Sequence, residues 1–205
     1  MAIAALIIYL LWAALAFGLR SWTQWRRTGD TGFRGGGLPR GSTQWWVRAL
    51  SIAALVIGAT GPIAALAGLD PIAALDQAWL RTGGTALALL GVAATLAAQA
   101  SMGASWRIGV DEAERTALVT GGPFALVRNP IFTVMIATAA GLTAMVPNPL
   151  ALTGLALTAV AFQLQVRIVE EPYLWAVHAD AYAAYAARVG RFLPAIGRLH
   201  PGARQ

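Results

Sequence analysis

The chain contains no cysteine and no lysine, and its 205 residues include only nine acidic side chains and two histidines. Without cysteine, structural disulfides and thiolate metal sites are excluded. His178 and His200 are separated by a proline-containing segment and have no carboxylate at metal-ligand spacing, so no metal is expected. With both histidines near the C-terminal end, a Ser/His/Asp set for nucleophilic hydrolysis does not assemble either. The Gly-rich stretch from Arg26 to Thr43 lacks the Gly-Lys-Ser/Thr ending of a phosphate loop, and the missing lysine closes that possibility. Gly83-Gly84 through Gly91 is no dinucleotide fingerprint, because it lies inside an apolar run with no preceding strand.

Charge itself is scarce. Charged residues make up 12% of the chain against 58% apolar, and the mean hydropathy is +0.62. Those values describe an integral membrane protein, not a soluble domain. The pI near 11 comes entirely from arginine. These arginines cluster beside apolar runs, where they act as topology signals and lipid-headgroup contacts, so nucleic acid is not an expected partner. No feature calls for an obligatory protein partner, which leaves the lipid bilayer as the surroundings to explain.

Runs long enough to span occur at about 2–19, 49–68 and 79–101, and a fourth stretch from about 131 to 166 is too long for one helix. Pro147-Asn148-Pro149 divides that stretch, so it reads as a helical hairpin of two spans. The first run lacks a basic leader and ends in Arg20-Ser-Trp22, and is expected to be a span, not a cleaved signal. The fold class is therefore all-α, with five transmembrane helices and a short C-terminal helix opened by Pro172. The chain reads as one membrane domain: three spans in 1–104, a motif region in 105–196 and a flexible tail in 197–205.

The arginines assign its sides. Six lie in 20–48, three in 101–130 and five from Arg167 onward, whereas the connection near 69–81 holds only Arg81 and the hairpin turn holds none. The positive-inside rule places the N-terminus outside and the arginine-rich segments in the cytoplasm. Trp22, Trp25, Trp45, Trp46 and Trp106 fall near that interface and are expected to anchor there. The Gly-rich loop 26–43 reads either as a flexible cytoplasmic linker or as a lid or headgroup contact.

Chemistry concentrates in the C-terminal half. Arg128 precedes Asn129-Pro130, the start of a span, where a guanidinium and a helix N-terminus both favour an anion. Its alternative reading is snorkelling to headgroups. Thr120, Gly121, Gly122 and Pro123 form a tight turn. Glu170 and Glu171 follow Arg167 at three and four residues, a spacing that permits a helical ion pair. Because one arginine cannot fully neutralise both, one carboxylate is left for a cation. Tyr182, Tyr185 and Arg188 repeat along one helix face.

Taken in order, Leu118-Val-Thr-Gly-Gly-Pro-Phe124, Arg128-Asn129-Pro130-Ile-Phe132, Asn148-Pro149, Glu170-Glu171, Tyr182-Ala-Ala-Tyr185 and Arg188 through Leu193-Pro194 resemble the isoprenylcysteine carboxyl methyltransferase family over roughly residues 105–196. Phospholipid N-methyltransferases, thiol S-methyltransferases and some sterol reductases share parts of the pattern. The resemblance implies a membrane-embedded enzyme using S-adenosylmethionine, reached from the cytosol, and a lipophilic small-molecule acceptor reached from the bilayer. It further implies that Thr120, Gly121, Gly122, Pro123, Phe124, Arg128, Asn129 and Pro130 cradle the cofactor, with Glu171, Tyr182 and Tyr185 closing over it. Glu170 and Arg167 are the expected catalytic residues, Arg167 orienting an anionic acceptor such as a carboxylate or thiolate. Asn129 stands where the family usually has His, and Phe132 where it usually has Tyr, which points to a divergent branch with a different acceptor. The competing functions are a nicotinamide-dependent sterol-type reductase and a non-enzymatic structural or transport protein.

Overall fold

A computed structural model describes residues 1–34, 38–109 and 117–199. Four helices are long and apolar enough to cross a membrane: α1 (Ala2–Thr28), α2 (Thr43–Leu66), α3 (Ala78–Ser101) and α5 (Pro149–Arg188). A shorter apolar helix, α4 (Pro130–Met145), completes the set. The protein is an integral membrane protein.

The helix ends follow local chemistry. Gly29, at φ 74°, closes α1 in a left-handed conformation and returns its N–H to the Trp25 carbonyl. The Ser42 side chain accepts from the Trp45 N–H to open α2. Pro130 and Pro149 each occupy a first helical position, where a missing N–H costs nothing. Asn148 works in two directions across the hairpin turn. Its Oδ1 accepts from the Ala151 N–H and its Nδ2 donates to the Gly61 carbonyl, both at 2.9 Å.

The helices pack as two close pairs, α3 with α4 and α2 with the first half of α5, and α1 lies against both. Small residues make the closeness possible. A Cβ at Gly84 would meet the Gly141 carbonyl oxygen at 2.6 Å, and one at Gly154 would meet the Gly58 Cα at 2.9 Å. Gly91 meets Thr138 in the same way. Between the pairs, Trp12, Ala16, Met135 and Phe162 form one buried cluster, and Ala5, Ile8, Ala88, Leu142 and Met145 another.

Two elements differ from the sequence reading. The last span does not stop near 166 before a separate helix begins; α5 runs on through a π-helical turn, Gln165–Glu170. That wider turn comes just ahead of Pro172, whose missing N–H and bulky ring a regular α-helix accommodates poorly. The break comes later, at Ala179, with φ 39° and ψ −115°. At 1.5 Å per residue, the part of α5 before that break is about 45 Å long, more than a hydrocarbon core of roughly 30 Å requires. α1 likewise continues past the expected 19 through a π-helical turn at Ala14–Leu19.

Candidate functional site

A cavity of about 330 Å³ opens at the end of the bundle where α1 and α3 finish and α2 and α4 begin. That volume lies in the range of small-molecule sites. Its floor is apolar, with Phe17, Leu55, Met135, Phe132 and Phe162. The last two rings lie 4.6 Å apart between centroids. One wall comes from the motif region: Phe124, Arg128, Asn129, Pro130, Gln165, Glu170, Tyr182 and Tyr185. The facing wall comes from Gln99, Met102 and Trp106, and the rim carries Phe33, Arg34, Arg48 and Arg107.

Behind the motif wall lies a buried ionic network. The Arg128 side chain is almost fully enclosed, and its Nη2 donates to Glu171 Oε1 at 2.8 Å and to the Gly197 carbonyl at 3.1 Å. Nη1 donates to the carbonyls of Ala186 and Val189 at 3.0 and 2.6 Å. Arg191 reaches the same carboxylate with two further bonds of 2.8 Å, to Oε1 and Oε2. Two guanidinium groups thus share one carboxylate; the four bonds of Arg128 join the residues that open α4 to α5 and the segment after it, and the two of Arg191 tie that segment back to α5. Arg128 Nε, also buried, has no partner among the described residues.

Glu170 has quite different surroundings. Its carboxylate lines the cavity, and its one described hydrogen bond is a long one, 3.5 Å from Gln165 Nε2. The Tyr185 hydroxyl donates to the Phe124 carbonyl at 2.6 Å, and Tyr182 packs edge-on to Trp175 and Tyr185. Asn129 holds the Arg191 carbonyl through both its backbone N–H and its Nδ2, each at 3.1 Å.

The structure therefore gathers seven of the expected site residues at the cavity: Phe124, Arg128, Asn129, Pro130, Glu170, Tyr182 and Tyr185. Thr120, Gly121, Gly122 and Pro123 stand outside its wall, with the first three exposed. Glu171 lies behind the wall. Arg167 is not in it either, and its Nε donates to Gln163 at 3.2 Å. The expected Arg167 ion pair with Glu170 or Glu171 does not form. Glu171 is turned instead toward Arg128 and Arg191, which reach it from the far side of the chain.

Trp106 corrects another expectation. It is only 2% exposed and no interfacial anchor; the Arg20 guanidinium lies 4.8 Å from its ring centroid. Trp22, Trp25 and Trp46 are exposed as anchors require. The Gly-rich loop is more than a linker where it is described. Ile108 donates its N–H to the Gly32 carbonyl and accepts from the Arg34 N–H, so this loop and the one after α3 clasp at the cavity rim. Residues 35–37 of that loop, 110–116, and 200–205, which include His200 and most of the expected tail, lie outside the described residues. Gln99, Gln165, Arg191 and the Phe33–Arg34 rim were not singled out by sequence. The available signal for Gln99 and Gln165 was an amide inside an apolar helix, a residue type that is seldom idle in membranes.

The described residues form an all-helical membrane bundle with a cavity walled partly by carboxylate, arginine and aromatic rings. The phospholipid methyltransferase family matches the chain over residues 79–181, half its length, from the start of α3 to beyond the break in α5. The chain belongs to that family of membrane methyltransferases, which is also that of the isoprenylcysteine carboxyl methyltransferases. No curated protein matches it.

Proposed function

We propose that this methyltransferase moves a methyl group from S-adenosylmethionine to a lipophilic small molecule inside the cavity between α1–α4 and α5, at the cytoplasmic face. The observation that carries the reading is the composition of the cavity: its floor is apolar, and one wall presents Glu170 and Phe124 from the segment that matches the family, with Tyr182 and Tyr185 just beyond it. The donor set suits the cofactor. Glu170, poorly satisfied by Gln165, would hold its ammonium, the buried Arg128 Nε its carboxylate, and the Phe124 and Tyr182 rings its sulfonium.

The bound cofactor supplies an electrophilic methyl group whose transfer discharges a sulfonium. The chain's own contribution is then to position and desolvate. The Arg128–Glu171–Arg191 network keeps the motif wall in register with α4, so Glu170 and the tyrosines are held rather than recruited. The rings of Phe132 and Phe162 exclude water from the floor. An anionic acceptor, carboxylate or thiolate, would need no general base, in keeping with the absence of histidine from the wall. An amine acceptor would have to enter neutral. Arg167, outside the cavity, is better suited to lipid headgroups than to the reacting atoms.

Purified protein in nanodiscs should bind S-adenosylmethionine in calorimetry, and should pass a labelled methyl group to the lipid-soluble fraction of a membrane extract. Binding of a nicotinamide cofactor instead, or label found only in water-soluble products, would overturn the proposal.

A further inference from the structure

The wall opposite the motif residues carries a polar group that methyl transfer leaves unexplained. Gln99 sits two residues before the end of α3, lines the cavity and is 2% exposed. Its Nε2 donates to the Ala16 carbonyl at 3.0 Å, inside the π-helical turn of α1. A carbonyl only accepts, so this contact fixes which way round the amide lies. The nitrogen is committed to α1. The oxygen is buried and has no partner among the described residues.

A buried acceptor without a donor is costly, and in a cavity wall it calls for a donor that the chain itself does not supply. Its neighbours narrow the chemistry of that group. Arg20, itself buried, donates through Nη2 to the Gln99 backbone carbonyl at 3.4 Å and to that of Gly103 at 2.9 Å. Trp106 covers the guanidinium. A fixed buried cation repels an ammonium donor, and a bare anion offers the Gln99 oxygen nothing to accept. What remains is a neutral donor on an otherwise apolar body.

We infer that Gln99 is a specificity-determining residue for the acceptor, receiving a hydrogen bond from a hydroxyl on an amphiphilic molecule whose apolar part lies over Phe132 and Phe162. This rests on reading the cavity as the acceptor chamber. Gln99 touches the acceptor away from the methyl-receiving atom, so it selects without taking part in transfer.

The test uses two isomeric probes, 1-decanol and methyl nonyl ether, which differ in whether the oxygen carries a hydrogen. Binding to full-length protein in nanodiscs is followed by intrinsic fluorescence. The wild type should bind the alcohol about tenfold more tightly than the ether, the size of one hydrogen bond to a buried acceptor. Gln99→Leu should bind the two equally. Gln99→Met, which keeps the unbranched length, should do the same if the leucine variant folds poorly. Equal binding of the two probes by the wild type, as when water alone satisfies the amide, would overturn the inference, as would an undiminished alcohol preference in either folded variant. No methyl donor enters this experiment, so its failure is distinct from failure of the transfer assay.

Discussion

Glu170 and Glu171 are adjacent in the chain and opposite in role. Glu171 is tied to two arginines behind the wall, and Glu170 faces the cavity. Substituting each by glutamine should therefore split two readouts. Glu171→Gln leaves two buried guanidinium groups without their carboxylate and should lower stability by about 3–5 kcal/mol, seen as a fall in thermal midpoint in detergent, whereas Arg128→Ala leaves Glu171 paired with Arg191 and should cost less. Glu170→Gln should leave that midpoint nearly unchanged and weaken S-adenosylmethionine binding by roughly ten- to a hundred-fold in calorimetry. The reverse pattern would sink the assignment. Asp30 adds a pH effect at the rim. Its carboxyl, hydrogen-bonded by Arg34 and the Gly32 N–H and close to Arg107, is held well below the usual carboxylate range. A depressed folded value stabilises above the unfolded value of 3.8, and that contribution is lost as pH falls below it. The rim clasp should thus become more open to proteolysis as the pH drops from 5 to 3, and Asp30→Asn should remove that dependence. That Arg128 and the paired glutamates matter was legible from sequence, because charge in so apolar a chain needs a purpose. Which glutamate lines the cavity was not. That depends on Arg191, twenty residues away, and on a π-helical turn that rotates Gln165 through Glu170.

The helices were legible from run length and proline placement, since both Pro130 and the Pro147-Asn148-Pro149 turn lie where local chemistry starts or stops a helix. The π-helical turns in α1 and α5 were not, because a shift in hydrogen-bond partner leaves no pattern in apolar residues. Helix contact gives a matched pair of tests. Gly84 and Gly83 are neighbours in α3, yet a Cβ at Gly84 would press on the Gly141 carbonyl and the Ala144 Cβ, at 2.6 and 2.7 Å, and one at Gly83 meets nothing within 4 Å. Gly84→Ala should push α3 from α4 and destabilise by about 1–3 kcal/mol. Gly83→Ala should be neutral or stabilising by roughly 0.5–1 kcal/mol. Thermal unfolding of the two variants checks this, and equal midpoints would argue against the close pair. In α5, Ala179 holds a backbone conformation that suits glycine, so Ala179→Gly should raise the midpoint rather than lower it.

Across the bundle, twelve of the thirteen arginines among the described residues fall in segments that the helix order brings to one end, the end that bears the cavity. We expect that end to be cytoplasmic. The absence of cysteine makes single-cysteine labelling straightforward. Gly121→Cys should react only with a reagent admitted to the cytoplasmic side and Gly68→Cys only with one outside, and the opposite result would invert the orientation.

The same ionic network also sets the order in which the protein can mature. Arg128 is synthesised with the start of α4, but its acceptors Ala186, Val189 and Gly197 and the second guanidinium of Arg191 arrive some sixty residues later. Among the described residues, no acidic side chain synthesised before Glu171 pairs with Arg128. While the ribosome is still making α5, an unmatched arginine waits at the mouth of an unfinished chamber, held at the headgroup level where lipid phosphates can serve as temporary counterions. Closure is then a late, long-range event that insertion of the individual spans does not secure.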